Sequence, residues 1–140
     1  MLRFISFGSG SSGNCYYLYT ETDSILIDVG VGLRSLKKHF HNYGMQFEDI
    51  HHILVTHDHA DHVKSVGSLS NDACGKALAE YATSNLRHVW LCHLSEENNH
   101  PELARKTVEH VLRSYGIVAG KDFGLEVLKR KTPSEIYKLL

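Results

Sequence analysis

His57-x-His59-x-Asp61-His62 packs four side chains of metal-ligating type into six residues, directly after the apolar run Ile50–Val55. No other stretch restricts the chain as much. A short apolar run ahead of a polar string reads as a buried strand, and strand ends are where function-bearing loops are commonly held. Imidazole nitrogens with a carboxylate oxygen suit zinc, manganese or iron(II). The lack of thiolates argues against a structural zinc knob. Adjacent side chains of an extended loop point apart, so His57 and His59 would serve one ion, and Asp61 and His62 another. More donors must come from elsewhere, and His93 is the candidate, because it closes the apolar run Val89–Cys92 and would project from a strand end. Histidine is abundant overall, 11 of 140 residues, and neutral imidazole is the commonest metal ligand.

The rest of the chain supplies a frame for that string. Leu2–Phe7, Asn14–Thr20 and Ser24–Asp28 read as strands of a small antiparallel sheet, and the Gly/Ser run Gly8–Gly13 between the first two reads as a hairpin connection. Leu33, Leu36, Lys37 and Phe40 recur at helical spacing, and Gly44 is a plausible stop after Tyr43. Ser70 or Asn71 would cap a helix over 72–84 with Ala73, Ala77, Leu78 and Tyr81 inward. Residues 88–92 form a strand. Pro101 opens a helix to about Tyr115, with Leu103, Thr107, Val111, Leu112 and Tyr115 on one face. Phe123–Leu128 is a last strand and Pro133–Leu140 a short final helix. Strands alternating with helices argue an α/β fold, in one domain over 1–140.

Composition excludes several partners. The net charge of -1, from 15 basic and 16 acidic residues, provides no global field for nucleic acid or anionic lipid. A phosphate-bearing substrate remains compatible, since bound metal would supply positive charge locally. The three cysteines, Cys15, Cys74 and Cys92, are odd in number and lack CxxC spacing, so neither a disulfide framework nor a zinc knuckle is indicated. Reduced cysteines, with no signal-peptide-like stretch or membrane span, point to a cytoplasmic protein and no membrane partner. His39, His41, His51 and His52 read as solvated or packing residues, Lys129-Arg130-Lys131 as a solvated face, Tyr16, Tyr17 and Tyr19 as packing in the first sheet, and Cys92 as buried and inert.

The HxHxDH string at 57–62 resembles the signature of the metallo-β-lactamase superfamily. Leu26-Ile27-Asp28-Val29-Gly30 is similar to that family's earlier segment, whose aspartate supports the site from behind. Phe7–Asn14, His93–Asn99 and Pro133–Tyr137 resemble the YycJ-like branch, bacterial cytoplasmic proteins implicated as 5′-to-3′ DNA exonucleases. The resemblance runs through two blocks, 1–67 and 68–140. It implies a partial αββα sandwich and a hydrolase whose metal-activated water attacks a phosphodiester. It also implies one or two divalent ions, zinc or else manganese or iron(II), on His57, His59, Asp61, His62 and His93. Asp61 and His62 are then catalytic, Asp28 a support, and nucleic acid the substrate.

The chain departs from that pattern in its middle. Family members supply a further histidine ligand and a metal-bridging aspartate between the two motifs, and neither has a counterpart here. Ser68 stands where a histidine is expected, and the seam of an internal deletion falls near Val66–Ser68. His88 is the one substitute ligand in reach by sequence. Three ligands remain for one ion and two for the other, so a one-metal site fits better than a symmetric pair. A lost part of the second sheet would expose apolar surface, which a homodimer would cover. Two alternatives follow: a metal-binding or inactive remnant of the fold, and a thioester or lactam hydrolase of the same superfamily.

Overall fold

Alternation of buried and half-buried residues marks the strands, and the side that is buried decides where the helices lie. The computed structural model describes residues 1–10, 14–56, 71–92, 101–129 and 132–139. Strands β1 (Arg3–Gly8), β2 (Cys15–Tyr19), β3 (Ser24–Ile27), β4 (His52–Thr56), β5 (His88–Cys92) and β6 (Gly124–Val127) form one six-stranded sheet in sequential order. β1 to β3 pair antiparallel, and β3 to β6 pair parallel. Helices α1 (Leu33–Asn42), α2 (Asn71–Tyr81) and α3 (Pro101–Ser114) make the three parallel crossovers. Right-handed crossovers that step in one direction along a sheet put every helix on the same face.

That face is the core. Tyr17, Leu26, Ile53, Val55, Val89, Leu91 and Leu125 meet Leu36 and Phe40 of α1, Cys74, Leu78 and Tyr81 of α2, and Val108 and Leu112 of α3. The opposite face follows from the register. Phe4, Leu18, Ile25, His52, His88 and Gly124 form one row across it, and Ser6, Tyr16, Ile27, Leu54, Trp90 and Glu126 the next. Leu18, Ile25, Ile27 and Leu54 are only half-buried there, whereas His52 and Trp90 are buried. The 132–139 segment reaches this face, with Tyr137 edge-on to Trp90 and the Leu139 carbonyl against His52.

Most element expectations hold to within a few residues, and Gly44 does follow α1 in the left-handed region, at φ +72. The one-turn 3-10 helix Phe47–Asp49 was not anticipated; Gln46 and Asp49 cap it reciprocally. On α3 the inward face is Ala104, Val108, Val111 and Leu112, while Leu103 and Tyr115 are 54% and 55% exposed. The stripe is rotated by about one residue, 100° on a helix, and its Val111 lies against the Gly75 backbone of α2. On α2, Cys74 and Gly75 rather than Ala73 are fully packed, and a Cβ at Gly75 would meet Val111 Cβ at 2.8 Å. Lys37 of α1 is exposed, its Nζ 6.0 Å from the Phe47 ring centre. The expected final helix does not form: residues 133–139 have no regular structure. Such a short segment does not repay helix nucleation without a packed face, and Tyr137 and Leu139 make tertiary contacts instead.

Candidate functional site

Parallel strands bring their C-terminal ends to one edge, and an antiparallel neighbour brings its start to the same edge. Here that edge gathers the end of β1, the start of β2 and the ends of β3, β4 and β5. Thr56 and Cys92 are register partners as the last residues of β4 and β5. The chain therefore leaves the described sheet at 56 and at 92 from neighbouring strands, roughly 5 Å apart. His57, His59, Asp61, His62 and His93 themselves lie outside the described residues, as do Ser68 and the Val66–Ser68 seam.

Asp28 flanks the end of β4 on the side away from β5 and is described. It sits just past β3 and is 7% exposed. Its N–H donates to the Leu54 carbonyl at 2.7 Å. Its Oδ1 accepts both the Thr56 N–H, at 2.7 Å, and the Thr56 hydroxyl. The carboxylate thus fixes both the backbone and the side chain of the residue before His57. Asp28 does so from a left-handed backbone, φ 67, the one described residue other than glycine with positive φ. Such a conformation is rare outside Gly, Asn and Asp, and it persists only where surrounding bonds over-determine it.

The Gly/Ser segment joins the same edge. Gly30 N–H donates to Asn14 O at 2.9 Å, Gly10 N–H to Asn14 Oδ1 at 2.8 Å, and the Tyr16 hydroxyl to Ser9 Oγ at 2.8 Å. Asn14 therefore ties the β1–β2 connection to the turn that follows Asp28. The hairpin reading of that connection agrees with the β1–β2 pairing.

Two thiols lie here, and neither is poised to be a thiolate. Burial, and then the Asp28 charge, pushes Cys15 up to about 12 and Cys92 up to about 11. Cys92 Sγ contacts the Val55 carbonyl at 3.5 Å. Among the described residues there is no group of three or more His, Cys, Asp or Glu side chains arranged to hold a metal.

His88 does not substitute for a missing ligand. It begins β5, four residues before Cys92, which at the rise of a strand is about 13 Å from the edge just described. It pairs instead with His52, within a group of Asp23, His51 and Arg87 at the opposite end of the sheet. The packing reading holds for His52, which is wholly buried, and for His39, which stacks on Phe7 at 5.7 Å. Sequence reasoning did not anticipate that four of these charged or polar residues meet. The one signal was the recurrence of histidine at the first positions of two strands.

Comparison with known proteins agrees with this architecture. Residues 5–72 match the family model of the anti-Pycsar protein Apyc1. The chain is 36% identical over 69 residues to an exodeoxyribonuclease YycJ of Bacillus anthracis, which is 49% of this chain and 26% of that protein. It is 35% identical over 68 residues to an exodeoxyribonuclease WalJ of Streptococcus pneumoniae, 49% of this chain and 25% of that one. The matched stretch thus spans about a quarter of these relatives. A solved Thermotoga maritima protein described as a metallo-beta-lactamase superposes over 97% of this chain and 62% of its own, with TM-score 0.50 and 16% identity. The chain has the metallo-β-lactamase fold. Over about half its length it is similar to the YycJ and WalJ proteins. No helix among the described residues is long and apolar enough to cross a membrane.

Proposed function

We propose that this chain is a metal-dependent hydrolase of DNA phosphodiesters, in two blocks, 1–67 and 68–140, of a single shortened domain. One observation carries the reading: Thr56 and Cys92 end adjacent parallel strands in register, and the buried Asp28 carboxylate clasps Thr56. That arrangement supports convergence of the 57–62 string with His93. His57 and His59 would bind one ion, and Asp61, His62 and His93 another. A bound divalent ion, zinc or else manganese or iron(II), supplies an activated water and a Lewis acid at neutral pH. Asp28 orients the ligand loop through Thr56. Asp61 and His62 hold the reacting edge, and neutral Cys92 keeps a competing thiolate away from it. The relatives named as exodeoxyribonucleases support the substrate class, and a cytoplasmic setting suits it.

The test pairs binding with turnover. Zinc or manganese is titrated into the apo-protein, and 5′-labelled DNA is then offered with and without chelator. Expected are stoichiometric binding, chelator-sensitive cleavage and loss of both in His62→Ala. A chain that binds no metal and leaves DNA intact overturns the proposal.

A second reading is a metal-binding remnant without turnover. The position of His88 favours it, because the sheet puts this histidine at the wrong end to replace an absent ligand. One ion per chain with no hydrolysis of DNA, thioester or lactam substrates would select it.

A further inference from the structure

At the end of the sheet away from Asp28, two strand-start residues, His52 and His88, and three residues that directly precede strands, Asp23, His51 and Arg87, form a connected polar group. Asp23 Oδ1 lies 3.1 Å from His51 Nδ1 and 3.1 Å from His52 Nε2. Arg87 Nη2 is 3.1 Å from His51 Nδ1 and 3.8 Å from Asp23 Oδ1. His52 Nε2 is also 3.1 Å from the Leu139 carbonyl, and His52 Nδ1 is 3.1 Å from His88 Nδ1. The rings of His52 and His88 stack at 5.0 Å, and Trp90 packs on them at 5.8 and 5.4 Å. Tyr137 closes over Trp90 at 5.3 Å. None of this belongs to the candidate metal edge.

Proton counting limits what the group can hold. Both neighbours of His52 Nε2 are acceptors, so that nitrogen carries a hydrogen in every state. The Nδ1–Nδ1 contact needs one hydrogen between two nitrogens. His52 and His88 together can accept one added proton and keep their contact. A second places two N–H groups and two stacked cations against each other, and the rings must part. His52 cannot turn without moving Nε2 off Leu139, since opposite nitrogens of one buried ring serve both partners. His88 cannot leave without uncovering Trp90, on which Tyr137 rests.

We propose that this group is a proton-operated clasp for the 132–139 segment, seated near neutral pH and released when His52 and His88 are both cationic. The charges that face the pair are Asp23 from the β2–β3 turn, His51 beside it, Arg87 ahead of β5, and Tyr137 with Glu126 across the Trp90 row. β6 otherwise presents Gly124, where a Cβ would come within 3.4 Å of His88 Cδ2. Asp23 Oδ2 is buried without a hydrogen-bond partner, and the Asp23 charge lies against the Nε2 side of His52. Asp23 therefore retains His52, and His88, which is less buried, is the ring expelled. Burial lowers the proton affinity of His52, although the Asp23 charge opposes this, so the seated form holds fewer protons than the released one. Release thus lies below the ordinary histidine value of 6.5. The clasp stands whether or not the chain hydrolyses DNA.

Acrylamide quenching of the sole tryptophan, Trp90, which is buried beneath Tyr137, is compared between about pH 7.5 and about pH 5. Expected is a rise in quenching as the segment leaves the ring, while the far-ultraviolet signal of the helices is unchanged. In His88→Asn, which keeps a hydrogen-bonding group but cannot become a cation, the acid-induced rise should vanish. Quenching unchanged in the wild-type chain, rising only together with loss of the helix signal, or rising equally in His88→Asn overturns the clasp. The wild-type comparison decides even if the variant does not fold.

Discussion

The two ends of the parallel strands use buried polar chemistry in opposite ways. At the C-terminal end one carboxylate, Asp28, accepts two hydrogens from one residue, Thr56, and bends its own backbone to do so. Those two donors, an amide and a hydroxyl, do not titrate near neutral pH. At the N-terminal end Asp23 lies against His51, His52 and Arg87, and histidine is the side chain whose ordinary charge change falls between about pH 5 and 8. The first arrangement makes a rigid edge from which ligand loops can start, and the second makes an end that responds to acid. A sheet whose strands run the same way concentrates function at one edge and leaves the other free for a different task.

The contrast breaks most sharply under substitution of the reacting edge. His62→Ala should lower metal-dependent cleavage by more than about 100-fold, beyond the usual cost of losing a supporting partner, with the melting temperature of the apo-protein unchanged. A drop of less than tenfold would place the chemistry elsewhere. Asp28→Ala should cost about 10–100-fold in metal affinity or activity and about 1–3 kcal/mol in stability, because the Thr56 N–H and hydroxyl lose their acceptor. Unfolding by urea alongside metal titration separates the two effects.

At the other end, His52→Leu should cost about 1–3 kcal/mol by taking their partner from His88 Nδ1 and the Leu139 carbonyl and one of several partners from Asp23, with metal affinity within about twofold of wild type. Metal affinity falling in step with stability would show that the ends are not independent. The pH dependence of melting sharpens the same point. Burial lowers the His52 value despite Asp23, so the folded chain binds fewer protons than the unfolded chain below 6.5. Stability is then complete above 6.5 and declines as pH falls through it. Burial works to raise Asp23, but the Ser24 N–H, His51, His52 and Arg87 outweigh it and hold the carboxyl below 3.8. Its contribution is present above 3.8 and is lost only as pH falls through the lower folded value. Melting curves of the apo-protein from neutral to acid pH should show the first decline, reduced in His52→Leu. A midpoint that rises on acidification would contradict the sign.

The smallest effect expected is chemical. With Cys92 raised from 9.0 to about 11, its thiolate fraction falls about a hundredfold, and native-state alkylation at neutral pH should be slower to match. Labelling at the rate of a free thiol would show that this edge is open and charged differently.

Local pattern carried much of this molecule. The apolar runs at 24–27, 52–56 and 88–92 read as strands because a sheet covered on its core face selects such runs, and the glycine after α1 stood where a left-handed residue was required. The crowding of His57, His59, Asp61 and His62 is visible in the sequence because it is a property of neighbouring residues. Tertiary structure decided what depends on residues far apart in the chain. It chose the inward stripe of α3, where Val111 lies against Gly75 of α2 while Leu103 stays exposed. It left 133–139 without a helix, with Tyr137 and Leu139 partnered on other elements. It joined Asp23, His51, His52, Arg87 and His88, up to 65 positions apart, into one proton-sharing group. Periodicity records which side of an element is covered, but the partner across the contact is set by strand order and register, and no local window contains those.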